Sequence, residues 1–198
     1  MGSGEFFFRL TIATMSLGIV SGCSQKNILD CEIKAGTVDE FAACQANLVS
    51  EHTPRLARDF DTAIQELKLD SITKGVLGVE MREERMRATA NGKSVKEVLV
   101  LGWQARRARL VGELKGMNER YAHDVKLLSR HGSSDSTQFL SNTTQNEENS
   151  IALLKTLLGD ADQRLTEWGA SPAQIAGSEQ TPPSKTTVVA IPDSAGSP

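Results

Sequence analysis

Aromatic residues are scarce in this sequence, which has six Phe, two Trp and one Tyr among 198 residues. Three of the Phe are consecutive, at positions 6–8, so few remain for a folded core. Strand signals are also few: only 98–101 and 186–191 are rich in β-formers, and the first lies in a strongly helical context. A core of Leu, Val, Ile, Ala and Met suits an elongated all-α bundle better than a β-sandwich.

An excess of positive charge is missing as well. The chain has 22 Lys and Arg against 25 Asp and Glu, for a net charge of −3. Because nucleic-acid affinity rests largely on Lys and Arg that neutralise phosphates, we expect no nucleic-acid partner.

Sequence motifs for enzyme chemistry are absent: there is no GxSxG, P-loop, GxGxxG or HExxH. The three histidines, His52, His123 and His131, are scattered, and acidic clusters stand beside Lys or Arg or at helix starts, as on a solvated surface. We therefore expect no catalytic residue, no metal and no cofactor.

The N-terminal region contains an uncharged run from Leu10 to Gly22. It is too short to span a bilayer of about 30 Å at about 1.5 Å per residue, but it has the length of a secretory leader. A buried core helix and a membrane-surface anchor are the alternatives. The run ends in Val20-Ser21-Gly22-Cys23, which resembles the lipobox of bacterial lipoproteins.

This resemblance implies that residues 1–22 are a signal peptide and that Cys23 becomes the lipidated first residue. Ser24 stands where Asp would signal retention in the inner membrane, so the resemblance implies an outer-membrane lipoprotein facing the periplasm. Several acyl chains on one cysteine provide stable anchoring. The inner membrane is the alternative location.

The other two cysteines, Cys31 and Cys44, remain as a pair if Cys23 carries lipid. A disulfide is the default in an oxidising compartment, and we expect one here. Two independent buried thiols are an alternative, and a metal site lacks further ligands at suitable spacing.

Helix signals follow from residue 37 onward. Thr37 and Ser94 each begin a capping box, and Thr53-Pro54 is a further start signal, although the sequence does not settle whether the chain breaks or kinks there. Ser71 is predicted to begin a third helix. One side of the first helix is expected to carry Val38, Phe41, Ala42, Leu48 and Val49.

Two heptad stripes predict an antiparallel helix hairpin. The residues of each stripe are spaced by three and four, and all but Asp124 are largely apolar. The stripes comprise Leu110, Leu114, Met117, Tyr121, Asp124 and Leu128, then Ile151, Leu154, Leu158, Ala161, Leu165 and Trp168. Packing against a partner helix is the alternative. The predicted organisation is a linker at 23–36, a helical domain at 37–169 and a disordered tail at 170–198, which holds five of the six prolines.

Basic residues concentrate in the middle of the chain. Five of them form a candidate contact with an anionic surface: Arg82, Arg85, Arg106, Arg107 and Arg109. An ordinary solvated face is the alternative.

A further resemblance covers residues 31–69. Cys31, Ala35, Thr37, Glu40, Cys44, Leu48, Leu56 and Phe60 follow a pattern similar to the small helical domain of LprI-type lysozyme inhibitors. This resemblance implies a periplasmic inhibitor of a cell-wall hydrolase. The function we expect first is a lipid-anchored structural or interaction module with an envelope protein as partner, and the inhibitor is the alternative.

Overall fold

The computed structural model describes residues 27–51, 53–130, 135–171 and 173. The predicted signal peptide, Cys23 and almost all of the predicted tail lie outside these residues. Within them the chain forms five α-helices, so the all-α prediction is confirmed. The helices are α1 (Val38–Glu51), α2 (Pro54–Thr73), α3 (Val79–Ala90), α4 (Val95–Leu128) and α5 (Asp135–Glu167).

The two longest helices, α4 and α5, form the predicted antiparallel hairpin. Arg107 pairs with Asp162, and Tyr121 donates a hydrogen bond to Glu148. Moving forward along α4 from Arg107 to Tyr121 therefore moves the partner backward along α5 from Asp162 to Glu148, so the two helices are antiparallel. Every residue of the two predicted stripes is buried or half-buried. At about 1.5 Å per residue α4 is about 51 Å long, which makes the bundle elongated.

Helix α2 packs across the first half of this hairpin. It buries an apolar stripe, in which Phe60, Ala63 and Ile64 are at most 2% exposed. Gly102 of α4 lies directly against the backbone of Ala63, where an added Cβ would be 2.4 Å from the Ala63 Cα. The absence of a side chain at this position sets how closely α2 and α4 approach.

The segment before α1 is part of the fold. Residues 31–35 run extended beside the turn between α3 and α4, where the Ile33 amide donates to the Lys93 carbonyl at 2.8 Å and the Val95 amide to the Cys31 carbonyl at 2.9 Å. Cys31, Ile33 and Ala35 are buried. Residues 31–35, which the sequence predicts to lie in a linker, therefore contribute three buried side chains to the core.

The predicted helix starts are confirmed where side chains cap them. The Thr37 hydroxyl accepts from the Glu40 amide at 3.2 Å, and the Ser94 hydroxyl accepts from the Glu97 amide at the same distance. The Thr53 side chain caps α2 with Pro54 at its first position. Helices α1 and α2 are separate, so the chain breaks before Pro54.

Two details of the helical prediction are wrong. Ser71 does not begin a helix; it lies within α2, where its hydroxyl donates to the Leu67 carbonyl at 3.0 Å. On α1, Phe41 and Leu48 are buried, but Val38 and Val49 are 66% and 68% exposed. Helix α1 therefore buries a narrower stripe than its sequence suggests.

Candidate interaction surface

The chain reverses between α2 and α3 through a glycine turn. Gly75 has a φ of 83°, a left-handed conformation that glycine adopts without steric cost. Its amide donates to the Ile72 carbonyl at 2.9 Å, and the Val76 amide donates to the Ser71 carbonyl at 3.0 Å. These two bonds close the C-terminus of α2 as a Schellman motif and direct the following residues away from the helix.

Large apolar side chains are exposed around this turn. Ten such side chains are exposed in the described part of the chain, and half of them lie between residues 69 and 81. Their exposed fractions run from 40% at Leu69 to 81% at Leu77. The set is Leu69, Ile72, Leu77, Val79 and Met81. Isolated exposed apolar residues are ordinary, whereas contiguous exposed apolar patches are typical of surfaces that contact another molecule. We call this cluster the α2–α3 corner.

A shallow groove runs between the two helices of the corner. Leu69, Ile72 and Val79 line it together with Lys68, Arg82 and other polar side chains. Its volume is about 190 Å³, below the 300 Å³ or more that is typical of small-molecule sites. The corner is therefore shaped for contact with a surface rather than for enclosure of a small ligand.

Charges of both signs surround the corner. Lys68 Nζ lies 2.7 Å from Glu83 Oε1, and Lys74 Nζ lies 2.5 Å from Asp70 Oδ2. Four Lys or Arg and four Asp or Glu occur between residues 68 and 85. The residues around the corner therefore have no net charge, and positive and negative side chains are interspersed along them.

The five arginines of the predicted anionic contact do not form one surface. Arg82 and Arg85 belong to α3, and Arg85 is exposed. The three arginines of α4 face other helices of the bundle. Arg106 and Arg109 both bind Glu66 of α2, and Arg107, which is 7% exposed, donates to Asp162 of α5 at 2.6 Å. Anionic contact stays a prediction for the α3 pair, while the α4 arginines make internal ion pairs.

Glu66 is the centre of one of these ion-pair groups. It is 3% exposed, and its Oε1 lies 3.0 Å from an Arg106 nitrogen and 2.5 Å from an Arg109 nitrogen. The hydrogen bonds from Arg109 to Glu66 raise the pKa of that guanidinium. Breaking such a buried pair leaves an uncompensated charge, so the group fixes how α2 docks on α4.

A second group joins α2 to α5. Arg164 Nη1 lies 3.2 Å from Asp59 Oδ2, and Asp59 is 6% exposed. Burial raises the pKa of Asp59, although the positive charges of Arg164 and Arg55 act in the opposite direction. The Arg164 guanidinium also lies 6.0 Å from the ring centre of Trp103, and Arg106 lies 5.3 Å from the same ring. These charges hold helices together inside the bundle and do not face an open cleft.

The structure also places Cys31, Cys44 and His123, whereas Cys23 lies outside the described residues. The Cys31 thiol donates to the Asn27 carbonyl at 3.9 Å, and Cys31 belongs to the hydrophobic core against which Cys44 packs. A disulfide between Cys31 and Cys44 stays a prediction. His123 is exposed and lies beside Asp124, with Nδ1 and Oδ1 2.9 Å apart. No group of His, Cys, Asp and Glu suited to a metal occurs among the residues whose positions are described.

The corner was not predicted from the sequence, because a helix that begins at Ser71 leaves no turn between α2 and α3. A signal was present: Gly75 and Gly78 flank Val76 and Leu77, and paired glycines are typical of a turn.

Comparisons with protein-family models, with curated proteins and with solved structures found no match. Among the described residues, no helix combines the length and apolar character needed to cross a membrane.

Proposed function

We propose that this protein is a lipid-anchored cell-envelope protein whose helical bundle acts as a structural or protein-interaction module, with no catalytic chemistry of its own. The anchor is Cys23, preceded by the lipobox-like residues 20–22, and the location is the outer membrane on the periplasmic side. The observation that carries the interaction role is the cluster of exposed apolar side chains at the α2–α3 corner.

Apolar side chains left in contact with water give an energetic reason for a partner to bind at the corner. Burying a large apolar side chain stabilises a protein by about 1.5–3 kcal/mol, and the fold leaves this stabilisation unused at several adjacent positions. Leu77 and Val79 are 81% and 59% exposed, whereas Val98 and Leu99 in the core are fully buried. A partner that covers the corner would recover that stabilisation.

The anchor supports the same role. Attachment to a membrane confines the bundle to a thin layer and raises its effective concentration toward other envelope components. A small corner can then bind usefully although its intrinsic affinity is modest.

Photo-crosslinking in living cells tests the interaction role. A photoreactive amino acid replaces Leu77, and the matched control replaces Leu153, which is also exposed and apolar but lies on α5. We expect discrete protein adducts from the first position and none from the second. Equal labelling at both positions, or no protein adduct at Leu77, contradicts the role.

The anchor is tested separately. Cys23→Ser should leave an unprocessed precursor that carries no lipid, and treatment with globomycin should leave a precursor whose leader is still uncleaved. If both leave the size and membrane association of the protein unchanged, the proposed location is wrong.

Inhibition of a cell-wall hydrolase is the second candidate. It is favoured by a groove between α1 and α2, lined by Leu48, Val49, Arg58 and neighbouring residues, within the segment that resembles LprI-type inhibitors. The purified chain should then lower lysozyme activity, and Val49→Asp should weaken the effect more than Val38→Asp. Full lysozyme activity at a large excess of the chain excludes this candidate.

A further inference from the structure

We propose that residues 186–191 of the C-terminal region dock in the groove between α1 and α2 of the same chain. This inference goes beyond the proposed function, because it needs neither the anchor nor the α2–α3 corner. Three observations carry it: the apolar floor of the groove, the place where the C-terminal region leaves the bundle, and the length and composition of the chain that follows.

The groove has an apolar floor and is open to solvent. Leu48, Ala57 and Phe60 line it, and Val49 stands at its edge. Leu48 and Phe60 are 2% exposed and so form the floor, whereas Val49 is 68% exposed. The volume of the groove is about 260 Å³, below the roughly 300 Å³ or more that is typical of small-molecule sites. The groove therefore suits a few aliphatic side chains of a peptide.

The C-terminal region leaves the bundle near this groove. Trp168 and Ala170 pack against the core just after α5, which fixes the point of departure. The last turn of α5 lies beside the first turn of α2, because Arg55 pairs with Glu167. The α2 residues of the groove follow within the next two turns, at 57–61. A helix is about 10–12 Å in diameter, so the groove lies within about 20 Å of the start of the C-terminal region.

The chain that follows is long enough to reach the groove. Twelve residues separate Ala173 from Thr186. A chain of this length spans at most about 45 Å, and its root-mean-square end-to-end distance as a random coil is about 20 Å. Because this distance matches the span to the groove, the effective concentration of the segment there reaches about 1 mM. Leu69 of the α2–α3 corner lies eight residues beyond Asp61, about 12 Å farther along α2, so the corner is the less accessible site.

The segment contains the longest apolar run of the C-terminal region. Four consecutive apolar residues end it, and they are Val188, Val189, Ala190 and Ile191. No other apolar run between positions 172 and 198 exceeds two residues. Contact between this run and the groove removes apolar surface of both from water, which favours docking. The segment is therefore the part of the C-terminal region that matches the floor of the groove.

The charges on the two sides are compatible with docking. Arg58 and Asp61 are exposed at the edge of the groove. Lys185 and Asp193 flank the segment. Each side therefore carries one charge of each sign, so docking brings no excess of either sign together. A flanking charge that reaches its opposite at the edge of the groove adds a small, solvent-screened attraction.

Intramolecular photo-crosslinking of the purified protein tests the docking. A photoreactive amino acid replaces Val49, and the matched control replaces Val38, which is 66% exposed on the same helix but does not line the groove. We expect an adduct at the mass of one chain from position 49, in a yield that does not depend on protein concentration. After digestion with trypsin, the adduct should contain the peptide that begins at Thr186. Position 38 should not give this product.

Substitutions within the segment provide the second readout. Val188→Asp combined with Val189→Asp should lower the yield of the adduct by about ten-fold or more, because two carboxylates would have to enter an apolar groove. Ala195→Asp adds the same kind of charge outside the apolar run and should leave the yield unchanged. Far-ultraviolet circular dichroism checks that both variants keep the helical content of the parent.

Four results would overturn this inference. An adduct at twice the mass of one chain would place the segment in the groove of a second copy. A crosslinked peptide from residues 10–22 would assign the groove to the N-terminal run. Equal yields from positions 49 and 38, or a yield that survives the paired Asp substitutions, would show that the segment does not dock. None of these results bears on crosslinking at Leu77, so the proposed function can stand when this inference fails.

Discussion

The close approach of α2 and α4 at Gly102 can be tested by adding one methyl group. Gly102 lies on α4 against Ala63 of α2, and a Cβ built at Gly102 would lie 2.4 Å from the Cα and Cβ of Ala63 and 2.5 Å from its carbonyl oxygen. These distances are about 1 Å short of ordinary van der Waals contact. Two of the three atoms belong to the backbone, so no change of rotamer relieves the clash. Gly102→Ala therefore forces α2 and α4 apart.

The cost has two parts. Overpacking a core typically costs about 1–3 kcal/mol and sometimes more, and a gap of 0.5–1 Å forfeits about a quarter to a half of each dispersion contact across it. Ile64 and Leu99 lose such contacts, and the pairs of Glu66 with Arg106 and Arg109 are stretched. Replacing glycine in a helix interior returns about 1 kcal/mol. The net loss in the free energy of unfolding should be about 2 kcal/mol or more.

Gly112→Ala provides the matched control. Gly112 lies on the same helix, and a Cβ there would meet nothing within 4 Å. The same substitution should therefore stabilise the protein by about 0.5–1 kcal/mol through helix propensity alone. The two variants are compared by urea unfolding followed by circular dichroism. If Gly102→Ala is as stable as the parent, or gains as much as Gly112→Ala, the inferred helix contact is wrong.

Three further predictions concern side chains and helices within the bundle. Burial raises the pKa of Asp59 above 3.8, so the folded state binds the Asp59 proton more tightly than the unfolded state does. The stability that this residue contributes is therefore lost as the pH rises through the window above 3.8. Urea unfolding at several pH values should therefore show Asp59→Asn gaining stability relative to the parent as the pH rises, and a constant difference would contradict this reasoning. Ser94→Ala removes the capping box of α4 and should lower the free energy of unfolding by about 1 kcal/mol, whereas Ser94→Gly should cost only a few tenths, and equal losses would argue against the cap. Amides of α3 should exchange with deuterium faster than those in the first half of α4, because α3 has no side-chain cap and buries only two residues, and equal exchange in the two helices would contradict this reasoning.

Sequence periodicity was enough to predict the hairpin because each of its helices buries one apolar stripe against the other. Leu110 and Leu165 lie at heptad positions and are at most 2% exposed. The spacing that hides these residues is a local property of each helix, so one sequence reveals it. Capping residues such as Ser94 act within four residues of themselves, and they were predictable for the same reason.

The corner and the ion pairs depend on tertiary approach, which local patterns do not report. Ser71 is a good N-cap residue, yet inside α2 its hydroxyl donates to a carbonyl one turn earlier, so residue type alone could not distinguish the two roles. Arg106 and Arg109 gave a basic stretch in sequence, but Glu66, more than 40 residues from Arg109, neutralises it in the fold. Only the packing of α2 on α4 brings these groups together.

Helix α3 is held to the bundle by few buried residues, so its local stability should depend on the proposed contact. Helices shorter than about 12–15 residues are marginal on their own, and α3 has 12 residues with only Met86 and Ala90 buried. Gly78 begins it without a side-chain cap, whereas α4 begins with a capping box and buries eight residues. Because Met81 and Leu77 contribute nothing to the core, a partner that covers them would add burial where the isolated bundle has least. A molecule that binds only the folded form of α3 stabilises that form, so docking and ordering of this helix should rise together.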